Sequence, residues 1–210
     1  MLTVLVDYES GNLHSAEKAF QRIAAETGAG RILVTSDPDA VRRADRIVLP
    51  GDGAFPACRR QLLAREGLFE SIDEAVTQRG RPFLGICVGM QMLATRGLEY
   101  EATPGLDWIG GEVLRIEGTG LKVPHMGWND LVIDRPHPLL SGIDTGDHAY
   151  FVHSYRMQLA DPAHLLAHAE YGGPVAAVIG RDNLAGTQFH PEKSQATGLR
   201  LIANFLAWAP

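Results

Sequence analysis

PFLGICVGMQML, residues 82–93, joins a short apolar run directly to a segment of helical spacing. A run of that length and composition is the signature of a buried strand. Gly85 and Gly89 stand two positions either side of Cys87. That is the G-x-nucleophile-x-G spacing of a nucleophile elbow, in which the chain reverses sharply from strand to helix and lifts one side chain above the sheet. Glycine tolerates the backbone approach and the dihedrals such a turn demands. The stretch therefore predicts a strand ending near Cys87, a helix starting at once after it, and a thiol at the positive end of that helix, where the thiolate is favoured. The N–H of Val88 is then aimed at any developing oxyanion. A cysteine at a strand end, taken alone, is more often a packing residue; the two glycines shift the reading to a nucleophile.

Upstream of the elbow the chain repeats an apolar run followed by an amphipathic segment. LTVLVD (2–7) leads into a helix-like stretch to about Thr27, and RILVT (31–35) and RIVLP (46–50) follow. Residues 53–80 carry apolar side chains at helical spacing before PFLGI. This βα rhythm predicts a doubly wound, mostly parallel central sheet with helices on both faces. Beyond about Gly111 the pattern changes to short segments with turns between them: EVLRI (112–116), NDLVI (129–133), AYFVHSY (149–155), HLLAHAE (164–170), VAAVIG (175–180) and LAGTQF (184–189). These read as antiparallel additions and late strands of the same sheet. From Thr197 to Trp208 the residues Leu199, Ile202, Phe205 and Leu206 share one helical face, predicting a docked closing helix. No repeat, linker or low-complexity tract interrupts residues 1–210, so one domain is expected.

A thiolate nucleophile needs a proton-transfer partner, and TQFHPEKS offers one. His190 follows the strand-like LAGTQF, and Glu192 stands two residues on, spaced to hold the other ring nitrogen and fix its tautomer. His-Pro-Glu is also a common surface turn, so this reading depends on Cys87. A third feature is the turn Pro50-Gly51-Asp52-Gly53-Ala54-Phe55 after RIVL, which in a parallel sheet opens at the same edge as the elbow. Its peptide groups are candidates for a second oxyanion donor; a plain βα turn is the competing reading. It lacks the Gly-Lys-Ser/Thr ending and the G-x-G-x-x-G placement of phosphate loops.

Composition narrows the field further. With 45% hydrophobic and 21% charged residues the chain is globular rather than disordered or fibrous. A net charge of −6 argues against nucleic acid as a partner. No stretch approaches the roughly 20 apolar residues of a membrane helix, and MLTVLVDYES has no signal-peptide pattern, so a cytoplasmic location is expected. Cys58 and Cys87 are too few for a disulfide framework or a four-cysteine zinc site. No metal is expected, and no role for Cys58 is evident.

GICVGMQ, PGDGAF and QFHPEKS together resemble class I, triad-type glutamine amidotransferases. DYESGNLHS near the start, VPHMGWN at 123–129 and YFVHSY at 150–155 are similar, within that family, to the glutaminase subunits of imidazole glycerol phosphate synthases. The resemblance runs nearly end to end, and sister amidotransferases would not be expected to carry PHMGWN with YFVHSY. It implies a flavodoxin-like fold and a reaction in which Cys87 attacks the side-chain amide of glutamine, His190 supplies the proton to the departing ammonia and Glu192 orients His190. It places Val88, Asp52 and Gly53 at the oxyanion and Gly51 and Gln91 at the substrate. It also implies a heterodimer with a cyclase subunit that consumes the ammonia, no cofactor, and a partner surface near Asn12, His125, Met126, Trp128 and Asn129. Three residues depart from the family pattern: Glu9 for glycine, Asp52 for a small apolar residue and Val88 for leucine. Two other classes stay open, a binding module that has lost its chemistry and a stand-alone cysteine hydrolase; the intact Cys87, His190 and Glu192 weigh against the first, and the His-Pro-Glu ending against the second.

Overall fold

The structure, a computed structural model, describes residues 1–9, 11 and 13–210. Its first half alternates as expected: β1 (Leu2–Val6), α1 (Leu13–Thr27), β2 (Arg31–Thr35), α2 (Pro38–Arg42), β3 (Arg46–Gly51), α3 (Phe55–Ala64), α4 (Leu68–Asp73) and β4 (Phe83–Cys87). A π turn, Glu74–Gln78, extends α4. The elbow helix α5 (Val88–Gln91) follows. The second half holds β5 (Arg96–Gly97), β6 (Thr103–Pro104), β7 (Gly111–Arg115), β8 (His125–Asp130), β9 (Val132–Ile133), β10 (His148–His153), β11 (Tyr155–Leu159), β12 (Leu165–Glu170), β13 (Pro174–Arg181) and β14 (Leu184–Thr187). The chain then enters α6 (Gln195–Ala207).

Among the described residues the main sheet has eight strands in the order β2-β1-β3-β4-β14-β13-β12-β9. From β2 to β14 neighbours run parallel, and from β14 to β9 antiparallel. Chain order reverses between β1 and β3, so right-handed crossovers place α1 on one face and α2 to α4 on the other. Accordingly α1 packs against α6 and α2 against α4. Phe20 of α1 meets Phe205 of α6 edge to face at 6.4 Å. Every residue of β3, β4 and β14 is buried, as strands covered on both faces must be.

Three expectations need correction. EVLRI becomes β7 of a separate four-stranded sheet, β11-β7-β5-β6, and not a strand of the main one. AYFVHSY breaks at Ser154: its first part is β10, paired with β8, and its last residue opens β11 in the other sheet. The alternation of side chains continues across the break, so no signal marks where the partner strand changes. NDLVI likewise divides between the end of β8 and the edge strand β9. In α6 the buried face is Gly198, Leu201, Ile202, Phe205 and Leu206, with Leu199 at its margin. Among the described residues no helix is long and apolar enough to cross a membrane.

Sheet register carries the site. Gly51, the last residue of β3, lies directly opposite Cys87, the last of β4. Thr187 of β14 pairs with Ile86 on the other side of β4. Cys87, the loop after Gly51 and the segment after Thr187 therefore open at one carboxyl edge, the crevice where ligands of open α/β sheets bind.

Candidate active site

Cys87 has φ 54° and ψ −112°, a conformation that costs a non-glycine residue energy unless its surroundings impose it. Here three glycines impose it. A Cβ added to Gly89 would stand 1.8 Å from the Leu49 carbonyl oxygen, one on Gly85 2.4 Å from the Gly89 oxygen, and one on Gly51 2.5 Å from the Gly89 nitrogen. β3, β4 and the elbow thus touch backbone to backbone, and the turn between them holds the thiol at the sheet edge. The helix that follows is only four residues long. The expected contribution of a helix dipole to thiolate formation is correspondingly small, because few peptide dipoles are aligned; side chains supply the polarity instead.

His190 is one of these. Its backbone N–H donates to the Tyr150 carbonyl at 3.1 Å, and its carbonyl accepts from the Ser194 hydroxyl at 2.7 Å. Its Nδ1 lies 2.8 Å from Glu192 Oε1, with both side chains almost wholly buried. The carboxylate accepts, so Nδ1 carries the proton and Nε2 is left for Cys87, to which the ring is also hydrogen-bonded. Burial alone disfavours the charge on His190, but the bonds and charges of Cys87 and Glu192 outweigh it and raise the imidazolium to about 10. Gln188 adds a second donor, its Nε2 standing 3.7 Å from Cys87 Sγ. Gln91 in turn donates to Gln188 Oε1 and to the Tyr155 carbonyl, both at 3.0 Å.

Beside the thiol lies a cavity of about 260 Å³ lined by Asp52, Gly53, Cys87, Val88, Gln91, Glu99 and residues 152–155. Its loop wall is held at three points. The Tyr8 hydroxyl donates to the Pro50 carbonyl at 2.7 Å, the Cys58 thiol to the Asp52 carbonyl at 3.6 Å, and the Phe55 N–H to Glu99 Oε2 at 2.7 Å. Burial pushes the Cys58 thiol up to about 11, so it stays a protonated donor. Gly53 has φ 117°, open to glycine alone without strain. Asp52 is exposed, with its carboxylate against the backbone of Gly11. Glu9 sits at φ 69°, so the side chain that replaces glycine there accepts a left-handed conformation.

The structure brings together Cys87, Val88, Gln91, His190, Glu192 and the 51–53 turn. The residues expected at a partner surface divide. Met126 and Trp128 are 62% and 48% exposed on one side of β8, while Asn129 is half-buried on the other. His125 is 3% exposed and is stacked inside, so its ring presents no surface. Strand alternation separates the two sets. Asn12 lies outside the described residues. Sequence reasoning missed Gln188, Glu99 and Tyr8. Gln188 had a faint signal, since it stands two residues before His190 in an extended run; nothing in its neighbourhood marks Glu99 as buried. Among the described residues no group of three or more His, Cys, Asp or Glu is arranged to hold a metal ion.

Known proteins share this architecture. The family model "Glutamine amidotransferase class-I" matches residues 4–208. The chain is 71% identical to the imidazole glycerol phosphate synthase subunit HisH of Cereibacter sphaeroides and 66% identical to that of Ruegeria pomeroyi, over the whole of each chain. Among solved structures, a glutamine amidotransferase superposes with a TM-score of 0.74 at 17% identity, over 98% of this chain and 99% of the other. The glutaminase domain of Trypanosoma brucei CTPS, solved with bound acivicin, gives 0.66 at 14% over 100% and 95%. At such identities these two likenesses concern the fold.

Proposed function

The chain belongs to the class-I glutamine amidotransferases, alongside the HisH subunits of imidazole glycerol phosphate synthase, and on that premise we propose that Cys87, His190 and Glu192 hydrolyse glutamine to glutamate and ammonia. The observation that carries the assignment of residues is the buried Cys87–His190–Glu192 series, whose thiol lines a cavity of amino-acid size.

Cys87 Sγ adds to the side-chain carbonyl carbon of glutamine, and the negative charge moves to the amide oxygen. The N–H of Val88 and a peptide N–H of the 52–53 turn stabilise that oxyanion. His190 gives its proton to the amide nitrogen, the C–N bond breaks and ammonia leaves, with the acyl group now a thioester on Cys87. Water then adds to the thioester as His190 takes its proton, and the C–S bond breaks to release glutamate. Glu192 holds the ring so that Nε2 faces the sulfur throughout. Gln91 borders the substrate, with its amide oxygen as acceptor because its nitrogen is already engaged, whereas Gly51, expected beside it, is buried against Val88 and Gly89 and does not line the cavity. Glu99 places a carboxylate in the same cavity, suited to the substrate ammonium.

The ammonia passes to a cyclase subunit, which uses it on a phosphorylated ribulosyl-formimino carboxamide nucleotide to make imidazole glycerol phosphate and aminoimidazole carboxamide ribonucleotide in histidine biosynthesis. The two form a cytoplasmic heterodimer in which residues 1–210 act as one glutaminase domain, with Met126 and Trp128 on the docking face. The site assignment is tested with an electrophilic glutamine analogue. Stoichiometric labelling of the peptide containing Cys87, lost in Cys87→Ser and competed by glutamine, is the expected result. Labelling confined to Cys58, or none in a chain that turns over glutamine, would overturn it.

A further inference from the structure

Beneath the exposed side of β8 runs a series of buried hydrogen bonds whose direction the geometry dictates. His153 Nδ1 lies 2.8 Å from the Tyr155 carbonyl oxygen. A carbonyl only accepts, so this nitrogen carries the proton and Nε2 of the same ring accepts. That Nε2 is 2.9 Å from His125 Nδ1, which must then be the donor, leaving His125 Nε2 to accept from Asn129 Nδ2 at 3.2 Å. The orientation of the Asn129 amide is fixed independently: Nδ2 also donates to the Glu170 carbonyl at 3.1 Å, and Oδ1 accepts from the Asp130 N–H at 2.9 Å. One arrangement of protons satisfies every member.

The Tyr155 carbonyl is shared. It accepts from His153 on one side and from Gln91 on the other, and Gln91 leads through Gln188 to Cys87 Sγ. His125, His153, Gln91 and Gln188 are each no more than 6% exposed. The His125 ring is clamped between Phe151, 4.8 Å away and inclined 20°, and Tyr171, 3.9 Å away and inclined 19°. The stacking restricts rotation of the ring, so the hydrogen bond to His153 is the direct side-chain route inward from β8. Burial holds both histidines below their ordinary range, keeping them neutral as the series requires. Outward on the same strand, Met126 and Trp128 face solvent.

We propose that His125 and His153 are positioning residues that transmit the seating of the cyclase on Met126 and Trp128 through the Tyr155 carbonyl to Gln91, Gln188 and the nucleophile; this rests on the partner reading above. A merely structural pair would support the fold whether or not a partner were present. A relay matters most when β8 is engaged.

The test uses the heterodimer. Glutamate release is measured for the chain alone and with the cyclase loaded with its nucleotide substrate, together with the dissociation constant of the complex. His125→Phe keeps the stacked ring but removes both of its hydrogen bonds. His153→Asn keeps a donor for the Tyr155 carbonyl but loses the link to His125, giving a second cut at the same joint should the first variant fold poorly. Both variants are expected to lose at least about tenfold of the stimulation by the cyclase. For His125→Phe, unstimulated turnover and affinity for the cyclase should stay within about twofold of wild type. Full stimulation in both variants, or equal loss of stimulated and unstimulated turnover, would overturn the relay while leaving the partner reading intact. Absence of stimulation in the wild type would refute the partner reading, and the relay's signalling with it.

Discussion

His190 and His153 stand on opposite sides of neutrality, and that fixes how stability responds to pH. His190 is raised from 6.5 to about 10, so the stability it contributes is complete below pH 6.5 and is lost as pH rises through about 10. His153 is lowered from 6.5 to about 4, chiefly by burial, so its contribution is complete above pH 6.5 and is lost as pH falls through about 4. A displacement of that size corresponds to about 3 kcal/mol for His153. Denaturant unfolding is therefore expected to show greatest stability near neutrality, with the acid-side decline reduced in His153→Asn. An unchanged acid-side slope in that variant would show that other groups govern it. Asp52 has a milder consequence than a carboxylate beside an oxyanion suggests, because the side chain is exposed and turned against Gly11.

The elbow is legible as an element because its chemistry is local. Gly85, Cys87 and Gly89 fall within five residues of one strand-to-helix joint, and continuous apolar runs mark the strands that flank it. Replacing Gly89 by alanine would drive a methyl group into the Leu49 carbonyl at 1.8 Å, so the turn must open or β3 must move. The expected cost is at least about 3 kcal/mol, read from denaturant midpoints; a change under about 1 kcal/mol would mean that the joint is looser than its contacts imply. Cys87 and the His190–Glu192 pair each lie in a compact motif, so their meeting at one sheet edge could be expected from the sequence. Gln188 and Glu99 were not, because what gives them a role is a partner distant in sequence: Cys87 for the first and the Phe55 N–H for the second. The division of AYFVHSY between two sheets was equally hidden, since strand pairing depends on which edge is free and not on the alternation of one segment. For β8 the sequence offers a segment through resemblance alone, and only the fold separates outward Met126 and Trp128 from inward His125.

For the whole molecule, the parallel half of the sheet builds the edge that carries Cys87 and the second half supplies the wall bearing β8, so the proposed chemistry and the proposed docking fall on different parts of one chain. Large aromatic side chains at the centre of an interface commonly carry much of its energy. Trp128→Ala is therefore expected to weaken cyclase binding by about 2 kcal/mol or more, by titration calorimetry, with glutamine-analogue labelling of Cys87 unchanged. Unaltered affinity would move the docking face elsewhere. The most direct measurement of the central claim is glutamate release from glutamine by wild type and Cys87→Ser, each alone and with the nucleotide-loaded cyclase. Weak release by wild type alone, strong stimulation in the complex and silence from Cys87→Ser throughout are the expected results. Turnover that survives Cys87→Ser would contradict the assignment, because no other thiol at the sheet edge faces His190 and Glu192 among the described residues.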